Sequence, residues 1–167
     1  MTLDYLHNAE SILVIGVGEL VVAEHPSVLV TQALGSCVGL ALWDPIRRAG
    51  GMAHIMLPSH VEIIRGGHPF RFATAAVPTL IDMLADAGSP KAGLIAKMAG
   101  GAAMFGPESK LPGIGARNVA EVRQQLRDAN IPIRGDDTGG SHARTIELRL
   151  DTGILLVRSY MYGLREI

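Results

Sequence analysis

Residues 28–56 read VLVTQALGSCVGLALWDPIRRAGGMAHIM, and the punctuation of this stretch decides the fold. Apolar runs over 28–31, 38–43 and 51–56 are short, rich in β-branched residues and bounded by Gly, Pro or Asp, which predicts three strands. Residues 26–43 carry no charge and approach the length of a membrane span. Thr31, Gln32, Gly35, Ser36 and Gly39 interrupt them, however, so the segment reads as two buried strands joined by a polar turn. Upstream, 11–17 and 19–23 flank Gly18 as two further strands, and the first third of the chain is therefore mostly β.

Downstream the period changes. Over 70–87, Phe72, Ala76, Leu80, Met83, Leu84 and Ala87 recur at helical spacing, with Gly88-Ser89-Pro90 as the stop and Pro78 expected to start or kink the helix. A strand is predicted over 94–98 and a second helix over 116–129, where Val119, Val122, Leu126 and Ala129 mark one face. Strands over 131–134, 145–150 and 154–158 follow, separated by turns at 136–140 and 151–153. With no internal repeat or linker, 167 residues are read as a single domain of α/β class, a mixed sheet covered by two helices. Aromatic residues make up only 4% of the chain, so its core is left to Val, Ile, Leu, Ala and seven Met.

Fifteen Lys and Arg against sixteen Asp and Glu leave a formal charge of −1, which gives no electrostatic footprint for nucleic acid or anionic lipid. One cysteine excludes an internal disulfide, and no Cys/His set has structural-zinc spacing. The first ten residues, with Asp4, His7 and Glu10, do not read as a signal peptide, and a cytoplasmic location is expected.

Cys37 lies in Leu34-Gly35-Ser36-Cys37-Val38-Gly39, where glycines on both sides permit a sharp turn and close approach to the sulfur. A lone cysteine is as readily a small buried hydrophobe, and the hexapeptide alone does not decide. His54, one strand later and flanked by Ala53, Ile55 and Met56, needs a partner if buried; it is either a core histidine bonded to a carbonyl or a base within reach of Cys37. Thr31 precedes the cysteine turn, as an ordinary strand residue or as the group that orients the imidazole. The Gly-rich segment 97–106 lacks the Lys-Thr end of a phosphate-binding loop and reads as close backbone packing, or as a groove lined by Met104 and Phe105. Asp136-Asp137-Thr138-Gly139-Gly140 is a turn signature before it is a metal loop, and His60, His68 and His142 have no ligand spacing. No metal or cofactor is called for.

Together, Thr31-x5-Cys37-x16-His54, Gly35-Ser36-Cys37, Gly51-Met52-Ala53-His54, residues 97–105, Gly113-Ile114-Gly115-Ala116-Arg117-Asn118 and Asp137-Thr138-Gly139-Gly140 closely resemble the CheD family of bacterial and archaeal chemoreceptor glutamine deamidases. The resemblance covers residues 15–158 and departs at Ala99, where many relatives are expected to carry an aromatic side chain. It implies an α/β sandwich similar to the catalytic domains of bacterial deamidating toxins. It also implies a Cys37, His54 and Thr31 triad, a substrate among glutamines of chemoreceptor cytoplasmic helices, and a CheC-type phosphatase as a second partner.

On that resemblance the reaction is amide hydrolysis through a thioester. Cys37 attacks, amides of the 35–38 turn stabilise the oxyanion, and a protonated His54 favours the thiolate well below the free value of about 8.5. The alternatives are a non-catalytic adaptor of a CheC-type phosphatase, a peptidase, or a receptor methylesterase, since thiolate and imidazole can also open peptides and esters.

Overall fold

The computed structural model describes residues 10–59, 68–106 and 112–167. Ten strands and two long helices follow in the order β1 (Ile12–Ile15), β2 (Leu20–Glu24), β3 (Val28–Leu34), β4 (Val38–Asp44), β5 (Ala49–Ile55), α1 (Ala73–Asp86), β6 (Ile95–Gly100), α2 (Ile114–Asp128), β7 (Ile133–Thr138), β8 (Arg144–Arg149), β9 (Leu155–Ser159) and β10 (Gly163–Glu166). The expected α/β sandwich is present, and its strands divide into two five-stranded mixed sheets where the sequence suggested one. The outer sheet has the order β1-β3-β8-β9-β10 and the central sheet β2-β5-β4-β6-β7. Each sheet contains one parallel pair, β1 with β3 and β6 with β7, and is otherwise antiparallel.

The central sheet is covered on both faces, and for that reason β4 and β5 read as nearly continuous apolar runs. On one side Val38, Leu40 and Leu42 of β4 and Ala53 and Ile55 of β5 pack with Leu80 and Leu84 of α1 and Val122 and Leu126 of α2. On the other, Ala41 and Met52 meet Leu29, Ile146 and Leu148 of the outer sheet. The sheets approach closely there: a Cβ on Gly39 would come within 2.5 Å of the Ile146 side chain and 2.9 Å of Leu34. Ala99, pairing in register with Gly39, is fully buried in the same layer.

Two expectations are corrected. Pro78 does not start α1 but sits inside it, on an exposed face where water can meet the backbone. Asp136 and Asp137 do not form a turn: β7 runs through to Thr138, because arginines neutralise both carboxylates. Arg123 meets Asp136 at 2.6 Å, and Arg144 and Arg165 each meet Asp137 at 3.0 Å. The turn begins at Gly139 and Gly140, both with left-handed φ. β10 had no counterpart in the sequence reading; every residue in it is exposed, so it shows no apolar alternation.

Candidate active site

The period-2 alternation of β5 sends Ala53 and Ile55 toward the helices and turns Met52 and His54 toward the outer sheet. His54 arrives there 1% exposed, with its backbone fixed by the 18–19 turn: its N–H donates to the Glu19 carbonyl at 3.1 Å and its carbonyl accepts from Gly18 N–H at 3.0 Å. Facing it from β3 is Thr31, fully buried, with Oγ1 2.7 Å from His54 Nδ1.

Proton accounting fixes the tautomer. The Thr31 hydroxyl also lies 2.7 Å from the Ile15 carbonyl oxygen, which can only accept. Its single hydrogen goes there, so Thr31 must accept from His54, and the neutral imidazole carries its proton on Nδ1. Nε2 is left as a buried lone pair without a partner. A satisfied core histidine would have both nitrogens engaged.

Cys37 immediately precedes β4, where Gly39 pairs with His54 and Val38 with Ile55, so thiol and imidazole sit diagonally on neighbouring antiparallel strands. The Cys37 side chain is partly buried against the layer between the sheets, the side that His54 occupies. The expected contact is closer than the resting one, since Cys37 is not hydrogen-bonded to His54 Nε2. The turn itself is held by its carbonyls. Gly35 O accepts from Ala102 N–H at 2.9 Å, Ser36 O from Asn118 Nδ2 at 3.0 Å, and Cys37 O from Gly101 N–H at 2.8 Å. The amide N–H groups of Ser36 and Cys37 make no hydrogen bond among the described residues.

The electrostatics bear on the expected thiolate. Burial pushes the Cys37 thiol up and the His54 imidazole down, because each charged form loses water and no counter-charge replaces it. Both shifts favour the uncharged forms of the two groups.

A cleft of about 270 Å³ opens beside this turn, lined by Ser36, Ala102, Met104, Phe105, Ile114 and Gly140, among others. The glycines of the Gly-rich segment serve close packing: Gly100 and Gly101 have positive φ, and a Cβ on Gly100 would run into the Cys37 carbonyl. Lys97 is committed elsewhere, donating to the Gly153 and Ile167 carbonyls at 2.7 Å each. Met104 is 41% exposed and packs over Gly35, and Phe105 is 87% exposed, so neither completes the core.

Among the described residues no group of three or more His, Cys, Asp or Glu is placed to hold a metal, and no helix is long and apolar enough to cross a membrane. His68 and His142 make no hydrogen bond to Thr31 or His54 among the described residues; His60, the first nine residues and part of the loop from Phe105 to Ile114 fall outside the described residues. Sequence reasoning missed a role for Asn118. Its signal was a polar residue on the buried stripe of α2, between Gly115 and Val119, Val122 and Leu126.

The family described as CheD chemotactic sensory transduction matches residues 56–159. The "Chemoreceptor glutamine deamidase CheD" of Thermotoga maritima is 47% identical over 148 residues, covering 87% of this chain and 90% of that protein. The "Probable chemoreceptor glutamine deamidase CheD 2" of Geobacter metallireducens is 42% identical over 159 residues, 93% of this chain and 98% of its own length. Among solved structures, the Bacillus licheniformis hypothetical protein YfiH overlays 78% of this chain and 60% of its own at 16% identity and a TM-score of 0.48.

Proposed function

This chain belongs to the CheD family, and we propose that it is a protein-glutamine deamidase acting on glutamine side chains of chemoreceptor cytoplasmic helices, with Cys37 as nucleophile, His54 as base and Thr31 as the group that orients the imidazole. The observation that carries the reading is the chain Ile15 carbonyl, Thr31 hydroxyl, His54 Nδ1, which leaves a buried lone pair on Nε2 one strand from the single cysteine. Its relatives' names supply the substrate class.

The chemistry follows from a neutral resting pair. His54 Nε2 takes the thiol proton as Cys37 Sγ bonds to the side-chain carbonyl carbon, so the thiolate forms during attack and is not stored beforehand. Amides of the 35–38 turn stabilise the tetrahedral oxyanion. On its collapse the carbon–nitrogen bond breaks, His54 returns the proton to the leaving amine as ammonia, and a thioester remains on Cys37. Water then gives a proton to Nε2 and attacks the thioester, releasing glutamate and restoring the thiol. Thr31 keeps Nδ1 protonated throughout, so that only Nε2 exchanges protons.

Recognition rests on shape and apolar contact, because a net charge of −1 gives little long-range steering. The exposed Phe105 and half-exposed Met104 at the cleft supply that contact, with the receptor helix and a CheC-type phosphatase as the partners and the cytoplasm as the compartment. The test is ammonia release from a receptor cytoplasmic fragment, run beside methanol release from the same fragment methyl-esterified. Ammonia alone is expected. Methanol release without ammonia would replace the deamidase reading with a methylesterase.

A further inference from the structure

Three carbonyls of the cysteine turn are gripped from outside it, and the middle grip comes from a side chain. Asn118, fully buried one turn into α2, donates both hydrogens of Nδ2: one to Ser36 O at 3.0 Å and one to Met56 O at 2.9 Å. The first partner precedes Cys37, and the second lies two residues beyond His54. Two carbonyl acceptors fix which end of the amide faces them, so the nitrogen assignment is unambiguous. Asn118 Oδ1 has no partner, and an unpaired buried oxygen costs stability that an apolar residue of the same size would avoid. What the side chain contributes is its two donors.

Those donors set the direction of a peptide plane. The only cis bond among the described residues is His25-Pro26, so the Ser36–Cys37 peptide is trans and its N–H points opposite to its C=O. Pinning Ser36 O to Asn118 therefore turns the Cys37 N–H away from α2, where it has no hydrogen-bond partner among the described residues. Gly35 O and Cys37 O are pinned by backbone amides on either side, so the Ser36 carbonyl is the one in the turn whose orientation depends on a replaceable group.

We infer that Asn118 is a positioning residue for the oxyanion site, holding the Ser36–Cys37 peptide so that the Cys37 N–H donates to the oxygen of the tetrahedral intermediate. The inference rests on the deamidase reading and adds a residue to it. Asn118 touches neither substrate nor thiol; it acts through the peptide plane.

The test compares a reaction that builds an oxyanion with one that does not. Asn118→Leu, and the isosteric Asn118→Asp, are assayed for deamidation of a receptor fragment and for alkylation of Cys37 by iodoacetamide, which displaces iodide and needs no oxyanion donor. Expected is a fall in kcat of about 10²- to 10³-fold, as for loss of one oxyanion donor, with KM and the alkylation rate unchanged. A folded variant with wild-type kcat overturns the inference, and so does an alkylation rate that falls in step with kcat, because Asn118 would then be holding the thiol–imidazole pair. Wild-type protein that releases no ammonia would instead remove the underlying reading.

A measurement on the wild type stands independently of how the variants fold. A peptide carrying an aldehyde in place of the glutamine side-chain amide is added to ¹⁵N-labelled protein. Cys37 Sγ adds to the aldehyde carbon, His54 takes the thiol proton, and the former carbonyl oxygen carries the charge. The Cys37 amide proton should move downfield as the hemithioacetal forms; an unmoved Cys37 amide with the adduct present would overturn the assignment.

Discussion

Two polar clusters among the described residues, one around Asp137 and one around His54, differ in what they leave unbonded. Around Asp137, Arg144 donates to the carboxylate and to the Gly139 and His142 carbonyls, while Arg165 takes the other carboxylate oxygen. Arg144 and Asp137 have side chains only 3% and 8% exposed, and both are well satisfied. Around His54 one ring nitrogen is engaged and Nε2 has no partner, while among the described residues the Cys37 thiol and the half-buried Ser36 and Cys37 amides make no hydrogen bond. Leaving a buried imidazole nitrogen unpaired costs free energy, which a purely structural histidine avoids by bonding both nitrogens. The first cluster holds loops together, and the proposed reaction assigns the second its open nitrogen and thiol.

Substitutions should separate the two. Cys37→Ala is expected to lower deamidation by about 10⁴- to 10⁶-fold with the melting temperature kept, and His54→Ala almost as far, because the two groups act as one unit. Steady-state ammonia release and thermal melts check both, and activity within about tenfold of wild type would remove either residue from the chemistry. Arg144→Met should do the converse. Stripping one partner from a buried ion pair costs about 3 to 5 kcal/mol of stability, with kcat of the folded protein nearly unchanged. Urea unfolding measures the first quantity, and a kcat loss comparable to that of His54→Ala would erase the distinction between the clusters.

Thr31→Ala comes next, with an expected loss of about 10- to 100-fold, since the imidazole keeps its place but loses the acceptor that fixes its tautomer. Kinetics at several pH values test it; a silent substitution would reduce the triad to a dyad. The neutral resting pair has its own signature. With the thiol pushed up, iodoacetamide alkylation of Cys37 should keep rising above the ordinary thiol range, and with the imidazole pushed down, deamidation should be lost only as pH falls below the ordinary imidazole range. An alkylation midpoint near neutrality would restore a preformed ion pair. The smallest effect is Phe105→Ala, which should leave stability within about 0.5 kcal/mol, as for an exposed side chain, and small-peptide turnover intact while lowering receptor deamidation.

Much of this was written locally in the chain. The strand-turn-strand of β3 and β4 followed from apolar runs broken by Gly35 and Ser36, and α2 from a stripe that the structure places at Ile114–Asp128 against an expected 116–129. Which strands share a sheet was not legible. β1 and β2 are separated by four residues, with Gly16 N–H on the Glu19 carboxylate at 2.8 Å, yet they enter different sheets, and period-2 alternation looks the same in either. The Asp136-Asp137 pair was misread for a similar reason: the arginines that neutralise it lie 13 residues earlier and 7 and 28 residues later, and turn propensity counts only neighbours. In the site, the strand pattern suggested that Cys37 and His54 could lie within reach, and the family resemblance added Thr31 as the third member. The polarity of the Thr31–His54 bond was not legible, because it depends on the Ile15 carbonyl brought in by parallel pairing of β1 with β3.

The most direct test incubates a receptor cytoplasmic fragment with wild-type protein and with Cys37→Ala, and maps the products by peptide mass spectrometry. Expected is conversion of particular glutamines to glutamate by the wild type alone, with the chain uncut. Backbone cleavage, an unmodified fragment, or the same conversion by Cys37→Ala would contradict a deamidase built on the unpaired groups around Cys37 and His54.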